Sequence, residues 1–173
     1  LRVFPKIPVT KTFLLWRCSK EWISVSCAII EDGSIILDTG GGILNLINKN
    51  DDENFLVFNP DTIWNKRYIK EIDAMIDLYF SKKIKNLLLL VNKKISFDKD
   101  LEGDFDLQNY LINKKKKSFI YTGCQILNRS IIEKEKLENF SIKNIWDDLI
   151  KNNQLYGFES KINFYHATNL KIF

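Results

Sequence analysis

The sequence predicts an α/β fold with a mostly parallel sheet and flanking helices. Two short runs, "FLVFN" (55–59) and "NLLLLVN" (86–92), are apolar without alternation, which is typical of parallel strands buried on both faces. Residues 67–80 between them are predicted as an amphipathic helix with one apolar stripe, formed by Ile69, Ile72, Ile76 and Tyr79. A strand, a helix and a strand of these lengths predict a βαβ unit with a right-handed crossover.

Further elements follow from the same patterns. Residues 22–30 are rich in β-branched residues and predict a strand, and so does the run 118–127. Ser141 precedes a helical pattern that extends to residue 153, so a capped helix is expected there. The segments 154–159 and 162–167 predict two short final strands.

Length and composition favour one globular domain. The chain has 173 residues, of which 45% are hydrophobic and 28% are charged, so it is long enough to build a core. No run of 18 apolar residues occurs, and we therefore expect no membrane partner. Three cysteines, widely spaced and without a Cys-x-x-Cys pair, predict reduced thiols in a cytoplasmic protein.

The net charge of +4 is concentrated at the start of the chain. Residues 1–30 contain one acidic residue, Glu21, and five basic ones, which are Arg2, Lys6, Lys11, Arg17 and Lys20. The remaining residues are electrically neutral, which disfavours nucleic acid as a partner. The run 114–117, four consecutive lysines, is predicted to be a solvated loop. Asparagine is absent from residues 1–30 but frequent afterwards, so we expect an atypical N-terminal segment (1–30) followed by one domain (31–173).

Two segments suggest a ligand site. In "LDTGGGILNLI" (37–47), three glycines precede a helix-like pattern, and free N–H groups at a helix start suit phosphate or sugar oxygens. A tight turn without a ligand explains the same glycines. Asp61 follows the strand 55–59 at its carboxyl end, where ligands bind in open α/β sheets. It is either a ligand-binding carboxylate or the cap of the next turn.

Taken together, these motifs resemble the sugar-1-phosphate nucleotidyltransferase family, in particular N-acetylmuramic acid 1-phosphate uridylyltransferase and mannose-1-phosphate guanylyltransferase-like proteins. The matching pieces occur in the family's order over residues 31–173. They are "LDTGGGI", "FLVFNPDTIW", "EGDF", "YTGCQIL", "FSIKNIWDDLIKNNQLYGF" and "FYHATNLKIF". The resemblance implies an incomplete Rossmann-like nucleotide-diphospho-sugar transferase fold, as a partial nucleotidyltransferase domain.

The resemblance also implies a chemistry. In this family a sugar 1-phosphate attacks the α-phosphorus of a nucleoside triphosphate, which yields a nucleotide sugar and pyrophosphate with the help of Mg²⁺. Carried over residue by residue, Asp61 and His166 match the metal ligands, although His166 stands where an Asp is usual. The implied substrate or nucleotide contacts are Gly40, Gly41, Gly42, Asn59 and Asp104. The implied partners are a nucleoside triphosphate and a sugar 1-phosphate, as in nucleotide-sugar and cell-wall sugar metabolism.

One family motif is not found in the sequence. The family's first strand carries a Gly-x-Gly-x-Arg-x-x-Pro loop that cradles the triphosphate, and the 173 residues contain no such pattern. Two hypotheses therefore stay open. The chain is a nucleotidyltransferase-family protein that retains part of the family's substrate site, or it is a truncated or frame-disrupted remnant without catalytic activity. Because this loop is missing from the sequence, we expect negligible turnover, and no catalytic residue is assigned.

Overall fold

The computed structural model describes residues 14–17, by their backbone alone, and residues 37–167. The described helices are α1 (Thr39–Ile47), α2 (Tyr68–Ser81) and α3 (Ile142–Lys151). The described strands are β1 (Leu14–Arg17), β2 (Asn54–Phe58), β3 (Asn86–Asn92), β4 (Asp106–Gln108), β5 (Leu111–Asn113), β6 (Phe119–Asn128) and β7 (Tyr156–Ser160). The strand predicted at 22–30, as well as Cys18 and Cys27, lies outside these residues.

The strands form one mixed sheet in the order β1-β2-β6-β3-β7-β5-β4. The prediction of a mostly parallel sheet is wrong, because β3 and β7 are the one parallel pair among the described strands. The chain between β3 and β6 forms the short antiparallel pair of β4 and β5, after which β6 runs back between β2 and β3. An antiparallel strand covered on both faces is as continuously apolar as a parallel one, so the sequence pattern does not distinguish them.

Helices cover both faces of the sheet. On one face, α1 and α3 pack over side chains such as Phe55, Val57 and Leu88. On the other face, α2 packs over Leu56 and Leu87. Successive residues of β2 therefore enter opposite clusters, as the two-residue period of a strand requires. The βαβ prediction for β2, α2 and β3 is confirmed to the extent that both strands belong to one sheet with α2 packed on it, although β6 lies between them.

The buried stripe of α2 differs from the predicted one at its start. Tyr68 is buried, whereas Ile69 is 57% exposed. The ring of Tyr68 packs edge-on against Trp64, with centroids 5.0 Å apart, and this contact fixes which side of the first turn faces the sheet. None of the described helices combines the length and the apolar character needed to cross a bilayer.

The glycines lie inside a helix instead of preceding it. Asp38 caps α1, and its carboxylate accepts the N–H of Thr39 at 2.6 Å. Gly40, Gly41 and Gly42 form the first turn and are buried. The start of α1 lies against the start of α3, since the N–H of Ile142 donates to the Thr39 hydroxyl at 3.2 Å. The starts of α1 and α3 approach each other closely, which explains why small residues occupy this turn.

Candidate functional site

One edge of the sheet collects the polar residues that the sequence singled out. β2 and β3 end at this edge and β6 begins there, since Phe58 pairs with Cys124 and Asn92 pairs with Phe119. β7 ends at the same edge, because it runs parallel to β3. We call this the carboxyl edge. Ligands of open α/β sheets bind beyond such an edge, where the loops leave the strands.

Asp61 and His166 meet beyond the carboxyl edge. His166 Nε2 lies 3.1 Å from Asp61 Oδ2, and the two side chains are 18% and 47% exposed. The backbone sets this contact, because Thr62 and His166 form an antiparallel bridge and the N–H of Ala167 donates to the carbonyl of Asp61 at 2.8 Å. The partly exposed carboxylate can bind a cation or a donor from solvent.

Residues 164–167, which we call the closing segment, are held from a second side. The buried Phe164 donates its N–H to the carbonyl of Ile95 at 3.1 Å and accepts the N–H of Phe97 at 2.8 Å. Its ring stacks on the imidazole of His166, with centroids 5.7 Å apart and planes 24° apart. The imidazole therefore has a packed face as well as a fixed backbone.

The loop after β2 is tied to β6. The N–H of Asn59 donates to the carbonyl of Gly123 at 2.7 Å, and the indole N–H of Trp64 donates to the carbonyl of Asn59 at 3.1 Å. The hydroxyl of the buried Thr62 donates to the carbonyl of Thr122 at 2.7 Å. These bonds hold the residues on both sides of Asp61 against the sheet.

Asp104 joins this edge through Tyr121. The N–H of Asp104 donates to the carbonyl of Phe119 at 2.7 Å, and its Oδ2 accepts the N–H of Tyr121 at 3.0 Å. Burial raises the pKa of Tyr121 well above its ordinary value, and nearby Cys124, Asp61 and Asp104 raise it further. The Tyr121 hydroxyl therefore keeps its proton at neutral pH and lies within electrostatic reach of both carboxylates.

A cavity of about 220 Å³ opens beside Asp104. Its lining residues are Glu102, Gly103, Asp104, Phe105, Lys114, Lys117, Lys143, Trp146 and Asp147. Three lysines face three carboxylates, so the cavity is polar but not strongly charged in either sense. Such a lining offers many hydrogen-bond partners, as a sugar requires.

Two buried donors without partners belong to neighbouring side chains, Tyr121 and Trp146, of which Trp146 lines this cavity. The Tyr121 hydroxyl and the Trp146 indole N–H have no hydrogen-bond partner among the described residues. Their rings touch edge to face, with centroids 4.8 Å apart, and Trp146 is part of the cavity wall. Buried polar groups in proteins are usually bonded to protein or to ordered water, so a pair of orphan donors is an unusual feature of this region.

The three glycines are placed near the start of α3. Gly40 and Gly41 both donate their N–H groups to the carbonyl of Phe140, at 2.9 and 3.2 Å, and Gly42 donates within α1 to Asp38. A Cβ atom on Gly41 would come within 2.2 Å of the carbonyl oxygen of Glu138. In this structure their N–H groups thus bond to the chain itself. Their role as ligand contacts stays a prediction.

Few of the described side chains are grouped so that they could ligate a divalent cation. Within the described residues, no three His, Cys, Asp or Glu side chains group together as a potential metal site. Mg²⁺ is often bound by one or two carboxylates together with substrate phosphates and water, and the half-exposed Asp61 fits that pattern. His166 fits as the second ligand for a cation that accepts nitrogen.

The structure thus joins some predicted site residues and separates others. It joins Asp61 to His166 directly, and it brings Asn59 and Asp104 to the same edge through β6. Sequence reasoning named the segment "YTGCQIL" without a role for Tyr121, and it included Trp146 only as part of the helix predicted after Ser141. Their hydroxyl and indole N–H groups were the available signal, since such groups need partners when buried.

Searches of solved structures find similar folds. HddC from Yersinia pseudotuberculosis, complexed with GMP-PN, matches with a TM-score of 0.58 and 23% identity, covering 79% of this chain and 59% of that one. The inositol-1-phosphate CTP transferase from T. maritima matches with a TM-score of 0.59 and 9% identity, covering 79% and 58%. A UDP-glucose pyrophosphorylase complexed with UDP-glucose matches with a TM-score of 0.57 and 15% identity, covering 86% and 63%.

These likenesses show the fold. The chain has a sugar-1-phosphate nucleotidyltransferase-like fold, which confirms the resemblance seen in the sequence, and it spans about three fifths of the length of the structures it matches. Neither a scan against protein-family models nor a search of curated proteins finds a match.

Proposed function

We propose that this protein binds a sugar 1-phosphate and a divalent cation at the carboxyl edge. The reaction to which this binding relates is nucleotidyl transfer. The observation that carries the proposal is the meeting of Asp61 and His166 at 3.1 Å on the same edge as Asp104. The order of these residues in the sequence matches the family motifs, and the neighbouring folds carry sugar-phosphate nucleotidyltransferase names.

In this proposal the cavity beside Asp104 holds the sugar. One oxygen of the Asp104 carboxylate accepts the N–H of Tyr121, so the side chain is oriented and its other oxygen can accept a sugar hydroxyl. The unpartnered indole N–H of Trp146, whose side chain lines the cavity, would bond to a sugar oxygen. Binding then satisfies a donor that the free protein leaves without a partner, which gives both affinity and selectivity.

Two lysines of the cavity suit the phosphate. Lys117 and Lys143 form no ion pair with a described residue, whereas Lys114 pairs with Asp147. Lys143 lies in the first turn of α3, where the helix dipole also favours an anion. Asp61 and His166 would hold the cation, which supplies neutralisation of phosphate charge when it is bound.

A second function, binding without catalysis, has its own supporting observation. The 173 residues contain no Gly-x-Gly-x-Arg-x-x-Pro pattern, whereas the residues proposed here for the sugar phosphate lie in the cavity beside Asp104. Both functions share the sugar-phosphate site and differ in turnover.

Calorimetric titration with a panel of hexose 1-phosphates, with and without divalent cation, tests the proposal. Asp104→Asn should weaken binding at least tenfold, because the amide still accepts the N–H of Tyr121 but the negative charge is lost. Asp73→Asn, an exposed change on α2 at the other face of the sheet, is the matched control and should bind like the parent protein. If no hexose 1-phosphate binds the parent protein at millimolar concentration, the proposed function is wrong.

A further inference from the structure

The pair of Asp61 and His166 combines two kinds of ligand atom. One is a hard carboxylate oxygen, and the other is an imidazole nitrogen of intermediate softness. A pair of carboxylates would suit Mg²⁺, which prefers oxygen ligands and keeps several of its waters. An imidazole suits zinc, copper, iron and nickel better than it suits magnesium. The two residue types therefore favour a transition-metal cation more than a pair of carboxylates would.

The spacing of the two atoms matches one edge of a metal coordination shell. Two ligands at right angles, each about 2.1 Å from a metal ion, are about 3.0 Å apart. His166 Nε2 and Asp61 Oδ2 are 3.1 Å apart. A cation that binds both atoms would therefore leave their separation almost unchanged.

The protein fixes this spacing before any cation arrives. The bridge between Thr62 and His166 and the bond from Ala167 N–H to the carbonyl of Asp61 join the two backbones directly. The ring of Phe164 stacks on the imidazole and limits its rotation. Pre-organised ligands lower the entropy cost of binding and favour cations that accept the ligand types already present.

We propose, building on the proposed function, that Asp61 and His166 make this site selective for first-row transition-metal dications over Mg²⁺. The expected order of affinity is Mg²⁺ below Mn²⁺ below Co²⁺, since nitrogen-containing sites follow the Irving–Williams order. The side chain of His166 is 18% exposed, and its Nδ1 is buried.

The second ring nitrogen sets the strength of binding. His166 Nδ1 is buried and has no hydrogen-bond partner among the described residues. Histidine ligands usually donate this N–H to a carboxylate or carbonyl, and loss of such a partner typically costs about 10- to 100-fold in metal affinity. The site should therefore prefer Co²⁺ without binding it tightly, so that the cation exchanges readily.

The chain contains one histidine, which gives a site-specific measurement. In protein labelled with ¹⁵N-histidine, CoCl₂ and MnCl₂ should shift or broaden the imidazole resonances of His166 at concentrations where MgCl₂ leaves them unchanged. Calorimetry with the same three salts should give a Co²⁺ affinity at least tenfold above that of Mg²⁺. Far-UV circular dichroism, which paramagnetic ions do not disturb, reports whether the fold is intact throughout.

His166→Asp restores two carboxylates and should reverse the preference, with tighter Mg²⁺ and at least tenfold weaker Co²⁺ binding. His166→Gln, which keeps a polar side chain without the imidazole, should weaken Co²⁺ without improving Mg²⁺. Mg²⁺ binding as tight as Co²⁺ in the parent protein, or Co²⁺ binding that leaves the imidazole resonances in place, would overturn the inference. Hexose 1-phosphate binding measured without metal tests the proposed function alone. Its result does not depend on which cation the site prefers, so the two proposals can fail separately.

Discussion

The N–H of Asn59 donates to the carbonyl of Gly123 at 2.7 Å, and this bond links the loop after β2 to the middle of β6. Gly123 has a φ of +88°, a conformation that residues with a side chain rarely adopt. A Cβ atom added there would come within 2.7 Å of the Cβ of Asn59. Backbone strain and close approach therefore both require glycine at this position.

Gly123→Ala should lower the free energy of unfolding by about 2 kcal/mol, because the backbone is strained and Asn59 must move. Urea denaturation measures this change. The double variant with Asn59→Gly should recover the steric part but not the strain, which a double-mutant cycle resolves. Equal losses in the single and double variants would mean that the contact with Asn59 contributes nothing.

Tyr121→Phe should leave the free energy of unfolding unchanged or raise it by about 1 kcal/mol, since the hydroxyl that it removes has no partner among the described residues. Tyr79→Phe is the matched control, because the buried Tyr79 donates its hydroxyl to Asn54 at 2.8 Å, and its loss should cost about 1 kcal/mol. A loss of stability as large as that of Tyr79→Phe would contradict the assignment of an unpartnered hydroxyl.

Asp106 should make the free energy of unfolding depend on pH in the acid range. Partial loss of hydration raises the pKa of Asp106, but hydrogen bonds from Lys116, Ser118 and Lys117 outweigh this and hold it below 3.8. The folded state therefore favours the ionised carboxylate, whose stabilisation is complete above the unfolded pKa of about 3.9 and is lost as pH falls through the lower folded value.

Asp106→Asn should accordingly flatten the fall in stability below about pH 4, measured by urea denaturation across pH. Asp73→Asn, an exposed carboxylate outside this loop, should leave the pH dependence as in the parent protein. If the Asp106 variant loses stability at acid pH as steeply as the parent protein, these hydrogen bonds do not favour the charged carboxylate. The affected loop holds the four lysines 114–117, which are exposed as the sequence predicted.

A protein of these 173 residues should release negligible pyrophosphate from UTP or GTP with any hexose 1-phosphate. Loss of one preorganised donor to a developing negative charge typically costs about 10²- to 10³-fold in rate, and this sequence contains no Gly-x-Gly-x-Arg-x-x-Pro loop. A coupled pyrophosphate assay, run with MgCl₂ and with CoCl₂, measures the release by the parent protein. The Asp61→Ala variant is measured under the same conditions. Clear release that disappears in the Asp61 variant would contradict the expectation.

Local pattern determined several elements of this protein. The apolar runs of β2 and β3 and the periodicity of α2 were readable because each depends on side chains that are near in sequence. Ser141 marked the start of α3 for the same reason, since a cap bonds to the next turn and its hydroxyl accepts the N–H of Lys143. The family motifs added the nucleotidyltransferase-like fold, because their order along the chain is itself sequence information.

Only the tertiary structure decided how these elements combine. The place of β6 between β2 and β3 depends on pairing between distant segments, which an apolar run does not encode. The contact of His166 with Asp61 depends on the closing segment crossing the loop after β2, and the orphan donors of Tyr121 and Trp146 become evident only when their surroundings are known. Residue type determines what a side chain can bond to, whereas long-range packing determines which partner is within reach.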